Sequence, residues 1–135
     1  MKDTPKLLIV DDEPLVRRSM EKSLYRAGFD VETAADCADG LALFERTQMS
    51  DEPFDLAVLD LNMPGFSGVE ESGAGLDLLS RLLDRQPDLP VVVLTAYDEV
   101  NKAKEAIQRG ARDYCVKGRE QGLIELIKEI LDFKF

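Results

Sequence analysis

A chain of 135 residues with 44% hydrophobic content is long enough to bury the core of one domain. Its 17 basic and 27 acidic residues leave a net charge of -10, which opposes nonspecific binding to nucleic acid or to an anionic membrane. Met1-Lys2-Asp3-Thr4-Pro5 is no secretory signal, and no apolar stretch approaches the ~20 residues of a membrane span, so a cytoplasmic protein is expected. With only Cys37 and Cys115, in a helix-like and a strand-like context, neither a disulfide framework nor a zinc site is suggested; Cys115 reads as a small core residue.

In chain order, Lys6-Leu7-Leu8-Ile9-Val10 reads as a buried strand and ends in Asp11-Asp12-Glu13. Residues 13–27 place Leu15, Met20, Leu24 and Tyr25 at mainly helical spacing, with Gly28 as a stop. Pro14 suits a first helical turn, so Glu13-Pro14 reads as a helix opening rather than part of a metal site. A short strand follows at 29–33. Asp36 can cap a helix carrying Leu41, Leu43 and Phe44, which Gly40 weakens by ~1 kcal/mol. After a polar loop at 47–53, the run Phe54-Asp55-Leu56-Ala57-Val58-Leu59-Asp60 is a strand closed by the turn chemistry of Leu61-Asn62-Met63-Pro64-Gly65.

A third helix is expected at 76–85, and Gly73-Ala74-Gly75 before it reads as a flexible entry rather than a phosphate-cradling loop, because it follows no strand and lacks the usual lysine. The unbroken run Leu89-Pro90-Val91-Val92-Val93-Leu94-Thr95 suits a strand buried on both faces. Asp98 can cap a fourth helix with Val100, Ala103, Ala106 and Ile107 inward and Gly110 at its end. A fifth strand at 113–117 and a helix at 121–131, with Leu123, Ile124, Ile127 and Ile130 inward, complete the chain. Five strands alternating with five helices imply an α/β fold: a parallel sheet with helices on both faces. No repeat, low-complexity tract or second domain is visible.

Open α/β sheets place their chemistry at the C-terminal strand edge. Asp60 closes one strand and Asp11-Asp12 follow another, so neighbouring strands would gather three carboxylates. Such a cluster needs a cation or a proton, and an all-oxygen set favours a hard ion such as magnesium. Thr95 and Lys117 close the fourth and fifth strands and open onto the same edge. These are the residue types that phosphoryl transfer needs, and all five occupy equivalent strand ends.

On Asp11-Asp12, Asp60-Leu61-Asn62-Met63-Pro64-Gly65, Thr95-Ala96 and Lys117 preceded by Asp113-Tyr114, the chain resembles the receiver domain of two-component response regulators over residues 6–131. The resemblance implies a flavodoxin-like doubly wound sheet of order 2-1-3-4-5. It makes Asp60 the phosphoacceptor and gives the metal to Asp12, Asp60 and the main-chain carbonyl of Asn62, with Asp11 acting through water. The metal is Mg2+, for which Mn2+ can stand in. Lys117 is then the phosphate-binding cation, Thr95 the switch hydroxyl, and Tyr114 the aromatic whose rotation reports phosphorylation.

The same resemblance implies a signalling phosphoacceptor rather than an enzyme, fed by a sensor histidine kinase or a histidine phosphotransfer protein. Its fourth helix, fifth strand and fifth helix would control a downstream output domain or protein, and a phosphorylation-dependent homodimer is within its range. Residues 1–135 read as one receiver domain, which fits the N-terminal part of a longer regulator. Direct nucleic-acid binding by this chain and membrane insertion are not expected. A degenerate receiver used only for binding is opposed by the complete five-residue set, and a phosphohydrolase with its own substrate would need a cap that so short a chain cannot build.

Two departures from the family pattern stand out. Gly118 follows Lys117 where receivers commonly carry a proline in a cis peptide, and residues 69–75 insert about seven positions between Gly68 and Leu76. Tyr97, two beyond Thr95, is bulky where the family tunes access to the phosphoryl group. Phe133 and Phe135 could dock a partner, and a chain end explains them equally well.

Overall fold

The computed structural model describes residues 4–63, 74–96 and 99–132. The turn from Pro64, residues 69–73 of the insertion, Tyr97, Asp98, Phe133 and Phe135 lie outside them. The chain alternates as β1 (Lys6–Val10), α1 (Pro14–Arg26), β2 (Asp30–Ala34), α2 (Cys37–Gln48), β3 (Leu56–Asp60), α3 (Ala74–Arg85), β4 (Val91–Thr95), α4 (Val100–Gln108), β5 (Asp113–Val116) and α5 (Glu120–Leu131). All strand pairings are parallel, in the order β2-β1-β3-β4-β5. That is the doubly wound order expected. The central strands β3 and β4 are buried along their whole length, as unbroken Leu-Ala-Val-Leu and Val-Val-Val-Leu runs require of a sheet covered on both faces.

The two faces carry separate cores. One packs α2, α3 and α4 on the sheet through Phe44, Leu78, Leu79, Leu82, Ala103 and Ala106. The other packs α1 and α5 through Met20, Leu24, Leu123 and Ile127. Among the described residues, no helix is long and apolar enough to cross a membrane.

Local signals set most element ends. Asp36 caps α2, its side chain accepting from the Asp39 amide at 2.7 Å. Glu13 is the N-cap of α1 with Pro14 in the first turn, so the helix opening is as expected. Gly110, at φ 113°, ends α4. The cap of α4 is Glu99, whose side chain makes no capping bond.

Packing corrects several expectations. Leu15 is 80% exposed and Tyr25 71%, because the stripe of α1 that reaches the sheet is Met20 and Leu24, one turn apart. Ile107 is 40% exposed because α4 meets the sheet on the small residues Ala103 and Ala106. Helix α2 runs on through Thr47 and Gln48, which shortens the loop expected at 47–53. Cys115 is half-buried rather than a full core residue, and both cysteines are free.

Gly40 is required by packing: a Cβ there would lie 2.8 Å from Val10 Cγ2, so the helix's weak point is what lets α2 approach β1. The flexible entry expected at 73–75 is corrected too, since Ala74 and Gly75 are buried residues of α3. A Cβ on Gly75 would sit 2.6 Å from the Asp60 carbonyl oxygen and 2.7 Å from Leu61 Cα. Both neighbours are backbone and cannot swing away. Gly75→Ala is therefore expected to cost about 1–3 kcal/mol, read as a lower urea midpoint at unchanged m-value; an unchanged midpoint would mean that α3 is free to lift off β3.

Candidate phosphoacceptor site

Parallel pairing of β1 with β3, and of β3 with β4, brings Asp11, Asp60 and Thr95 to one edge of the sheet. Asp60, the last residue of β3, and Asp11, just beyond β1, are both fully buried. The side chain of Lys117 reaches in from the end of β5. Its Nζ lies 2.9 Å from Asp60 Oδ2, 2.5 Å from Glu13 Oε1 and 3.5 Å from Asp11 Oδ2. Carboxylate oxygens of Asp11, Asp12, Glu13 and Asp60 all lie within 4.8 Å of one another.

The two buried carboxylates are also held by the backbone. Asp60 Oδ1 accepts from the Asn62 amide at 3.0 Å, and Asp11 Oδ1 from the Glu13 amide at 2.9 Å. Arg17 donates to the Asp11 carbonyl at 2.8 Å. The buried Asp11 Oδ2 accepts no hydrogen bond among the described residues. A buried acceptor left this way is costly unless something fills the place.

The electrostatics carry the cost of crowding. Burial pushes the Asp60 carboxyl up to about 6, against the opposing hydrogen bonds from Asn62 and Lys117. Burial also raises Asp11. For Lys117, burial works against the charged form, but the contacts with Glu13 and Asp60 outweigh it and place the ammonium above the usual lysine range. One cation is thus shared among three carboxylates, and a hard divalent cation fits the remaining excess of negative oxygen, including Asp11 Oδ2, which accepts no hydrogen bond among the described residues and has the Lys117 ammonium only at 3.5 Å.

The resemblance-based set is brought together at Asp11, Asp12, Asp60 and Lys117. Thr95 is buried beside them, but its hydroxyl donates to the Glu99 carbonyl at 2.9 Å, with the Ala96 carbonyl a more distant alternative acceptor at 3.3 Å. Tyr114 lies outward on β5, 36% exposed. Asn62 holds Asp60 through its amide, and its side-chain Nδ2 donates to Glu99 Oε2 at 2.8 Å.

Two members escaped sequence reasoning. Glu13 is a helix N-cap and also a Lys117 ligand, and the third acidic residue of Asp11-Asp12-Glu13 was the available signal. Glu99 carried no signal apart from standing four residues beyond Thr95. Gly118 takes φ 91°, which a proline ring cannot adopt, so the loop after Lys117 follows a path of its own.

The model of the response regulator receiver domain matches residues 7–128. The chain belongs to that family. As a receiver domain it is 36% identical over 127 residues to response regulator protein PilR of Pseudomonas aeruginosa, covering 93% of this chain and 26% of PilR. It is 37% identical over 115 residues to the photosynthetic apparatus regulatory protein RegA of Cereibacter sphaeroides, covering 85% of this chain and 55% of RegA. The receiver thus spans about a quarter to a half of these curated relatives. Among solved structures, the receiver domain protein from Clostridium thermocellum superposes with a TM-score of 0.81 at 26% identity, covering 95% of this chain and 94% of that one. A CheY-like receiver from Methanospirillum hungatei gives 0.79 at 31% identity, over 96% and 94% of the two chains.

Proposed function

We propose that this receiver domain, residues 1–135, is a phosphorylation-activated switch with Asp60 as the phosphoacceptor. One observation carries the reading: a fully buried aspartate at a strand end, ion-paired to Lys117 at 2.9 Å inside a cluster of four carboxylates. An Asp60 oxygen attacks the phosphorus of a phosphohistidine on a sensor kinase or phosphotransfer protein. The P–N bond breaks, its electron pair stays with the donor imidazole, and an acyl phosphate forms. Transfers of this kind need mainly alignment and charge neutralisation.

Asp12, Asp60 and the Asn62 carbonyl would hold Mg2+, or Mn2+ in its place, with Asp11 acting through water. The ion would neutralise oxygens of the acceptor and of the incoming group. Lys117 shifts part of its charge from Glu13 to the phosphoryl group. Thr95 leaves the Glu99 carbonyl to donate to that group, and the volume it vacates next to β5 is filled by Tyr114 turning inward. The surface of α4, β5 and α5 then changes population between two states and acts on an output domain or protein, or forms a homodimer. A phosphorylation-independent binding module would have no use for this assembled set.

Incubated with acetyl phosphate and Mg2+, the wild-type protein is expected to gain one acid-stable, base-labile phosphoryl group by intact mass, mapped to Asp60. An unmodified protein, or a group mapped elsewhere, overturns the reading. The metal assignment has its own check in thermal unfolding. A ligand at a hundred times its Kd stabilises a protein by about 2.7 kcal/mol, and Asp12→Ala is expected to lose most of the magnesium response that wild type shows. Equal responses would remove Asp12 from the ligand set.

A further inference from the structure

Glu99 is tied into the site in a way that its place at the head of α4 does not explain. Its carboxylate does not cap its own helix. Instead it accepts from Asn62 Nδ2 at 2.8 Å, across 37 positions of chain. Lys102 closes the ring, with Nζ at 3.2 Å from Asn62 Oδ1 and 3.3 Å from Glu99 Oε2. Asn62 in turn holds Asp60 Oδ1 through its amide. The main chain of Glu99 takes part as well, since its carbonyl receives the Thr95 hydroxyl. One residue therefore joins the head of α4, the switch hydroxyl and the chain leaving the phosphoacceptor.

A hydroxyl carries one proton. Thr95 cannot donate to a phosphoryl group on Asp60 while it donates to the Glu99 carbonyl, so the active arrangement has to separate Thr95 from Glu99. A clasp that fixes Glu99 to Asn62 holds that carbonyl under the hydroxyl and opposes the separation. Lys102 is part of the clasp because it bonds both of the other members. The side chains of Lys102 and Glu99 are 39% and 33% exposed, so the ring is a surface clasp that can open without disturbing the core.

We infer that Glu99 is a positioning residue which, clasped to Asn62 and Lys102, holds Thr95 in the resting position and sets how readily this receiver switches. The inference rests on the phosphoacceptor reading of Asp60. A net hydrogen bond of ~0.5–1.5 kcal/mol corresponds to a shift of roughly 2- to 10-fold in a two-state equilibrium. Breaking the clasp should move the unphosphorylated protein toward the active state by that factor. It should raise the rate of phosphorylation by acetyl phosphate similarly, since the reactive arrangement becomes more populated.

The test compares wild type, Glu99→Ala, Lys102→Met and Glu99→Gln by amide NMR, without phosphodonor, against the line joining free wild type to wild type with beryllofluoride and Mg2+. Glu99→Ala and Lys102→Met are expected to move the β5 and α4 resonances along that line. Glu99→Gln retains an acceptor for Asn62 but loses the ion pair, and should move them less. A merely structural role would scatter resonances off the line. Folded variants with resonances unmoved or off the line, and wild-type phosphorylation rates, overturn the inference while leaving the Asp60 reading intact. Wild type that takes neither phosphoryl group nor beryllofluoride overturns both.

Discussion

Asp60→Asn protein is expected to take up no phosphoryl group and, in the absence of metal, to be more stable than wild type. The first effect follows because an amide is no nucleophile for the transfer. The second follows from burial. In the folded protein the Asp60 carboxyl is raised from 3.8 to about 6, so the folded state binds its proton more tightly than the unfolded state. A raised acid contributes stability that is fully present below pH ~4 and is lost as the pH climbs through ~6. At neutral pH the ionised, buried Asp60 therefore costs the metal-free fold up to about 3 kcal/mol.

Asparagine has the same shape, can still accept from the Asn62 amide and carries no charge. The rise to about 6 is already net of the Lys117 contact, so the expected gain is about 1–3 kcal/mol. Urea unfolding in EDTA across the acidic to neutral range decides the matter. The gap between variant and wild type should be small below pH ~4 and widest above ~6. A constant gap, or a variant less stable at neutral pH, would mean that Lys117 already compensates Asp60 in full.

Lys117→Met is expected to act in the opposite direction. Its ammonium is the cation held between two fully buried carboxylates, Asp60 and Asp11, with Glu13 on its outer side. Removing one partner from a buried pair leaves an uncompensated charge, which typically costs 3–5 kcal/mol. Here the stranded carboxylates can protonate, which caps the penalty at the lower end of that range near neutral pH. The loss should shrink on acidification, because Asp60 and Asp11, both already raised by burial, then carry less charge. Mg2+ should restore part of the stability and little of the phosphorylation rate, since the ion replaces the charge among the carboxylates but not the Lys117 contact to the phosphoryl group. Denaturant midpoints at acidic and neutral pH, with EDTA or Mg2+, test each clause. A pH-independent loss would assign the effect to packing of the lysine stem.

Much of the site was legible because a parallel sheet turns sequence position into spatial position. A residue that ends an apolar run ends a strand, all strands point the same way, and the ends share an edge. Asp60, Asp11, Thr95 and Lys117 could be placed together on that ground alone. The helix count, the strand count and the Asp36 cap were readable for the same reason, being set by local periodicity and turn chemistry. The order 2-1-3-4-5 came from the family resemblance, since nothing local says which strand lies beside which.

Tertiary packing decided the rest. Periodicity marks a helix's apolar positions but not how far the helix stands from the sheet, so it could not tell that Ala103 and Ala106 would bring α4 close and leave Ile107 at the rim, or that Leu15 would lie beyond the sheet. Gly40 and Gly75 looked like weak points in sequence, and the structure makes them contact points against Val10 and the Asp60 backbone. Glu13 reads as a helix opening because that role is local, while its bond to Lys117 spans 104 positions. The Glu99–Asn62–Lys102 ring joins the turn after β3 to the head of α4 through side chains alone. Hydrogen bonds between distant side chains leave no period in a sequence, so the sequence determined which groups stand at the sheet edge, and only the folded chain decided which of them hold one another.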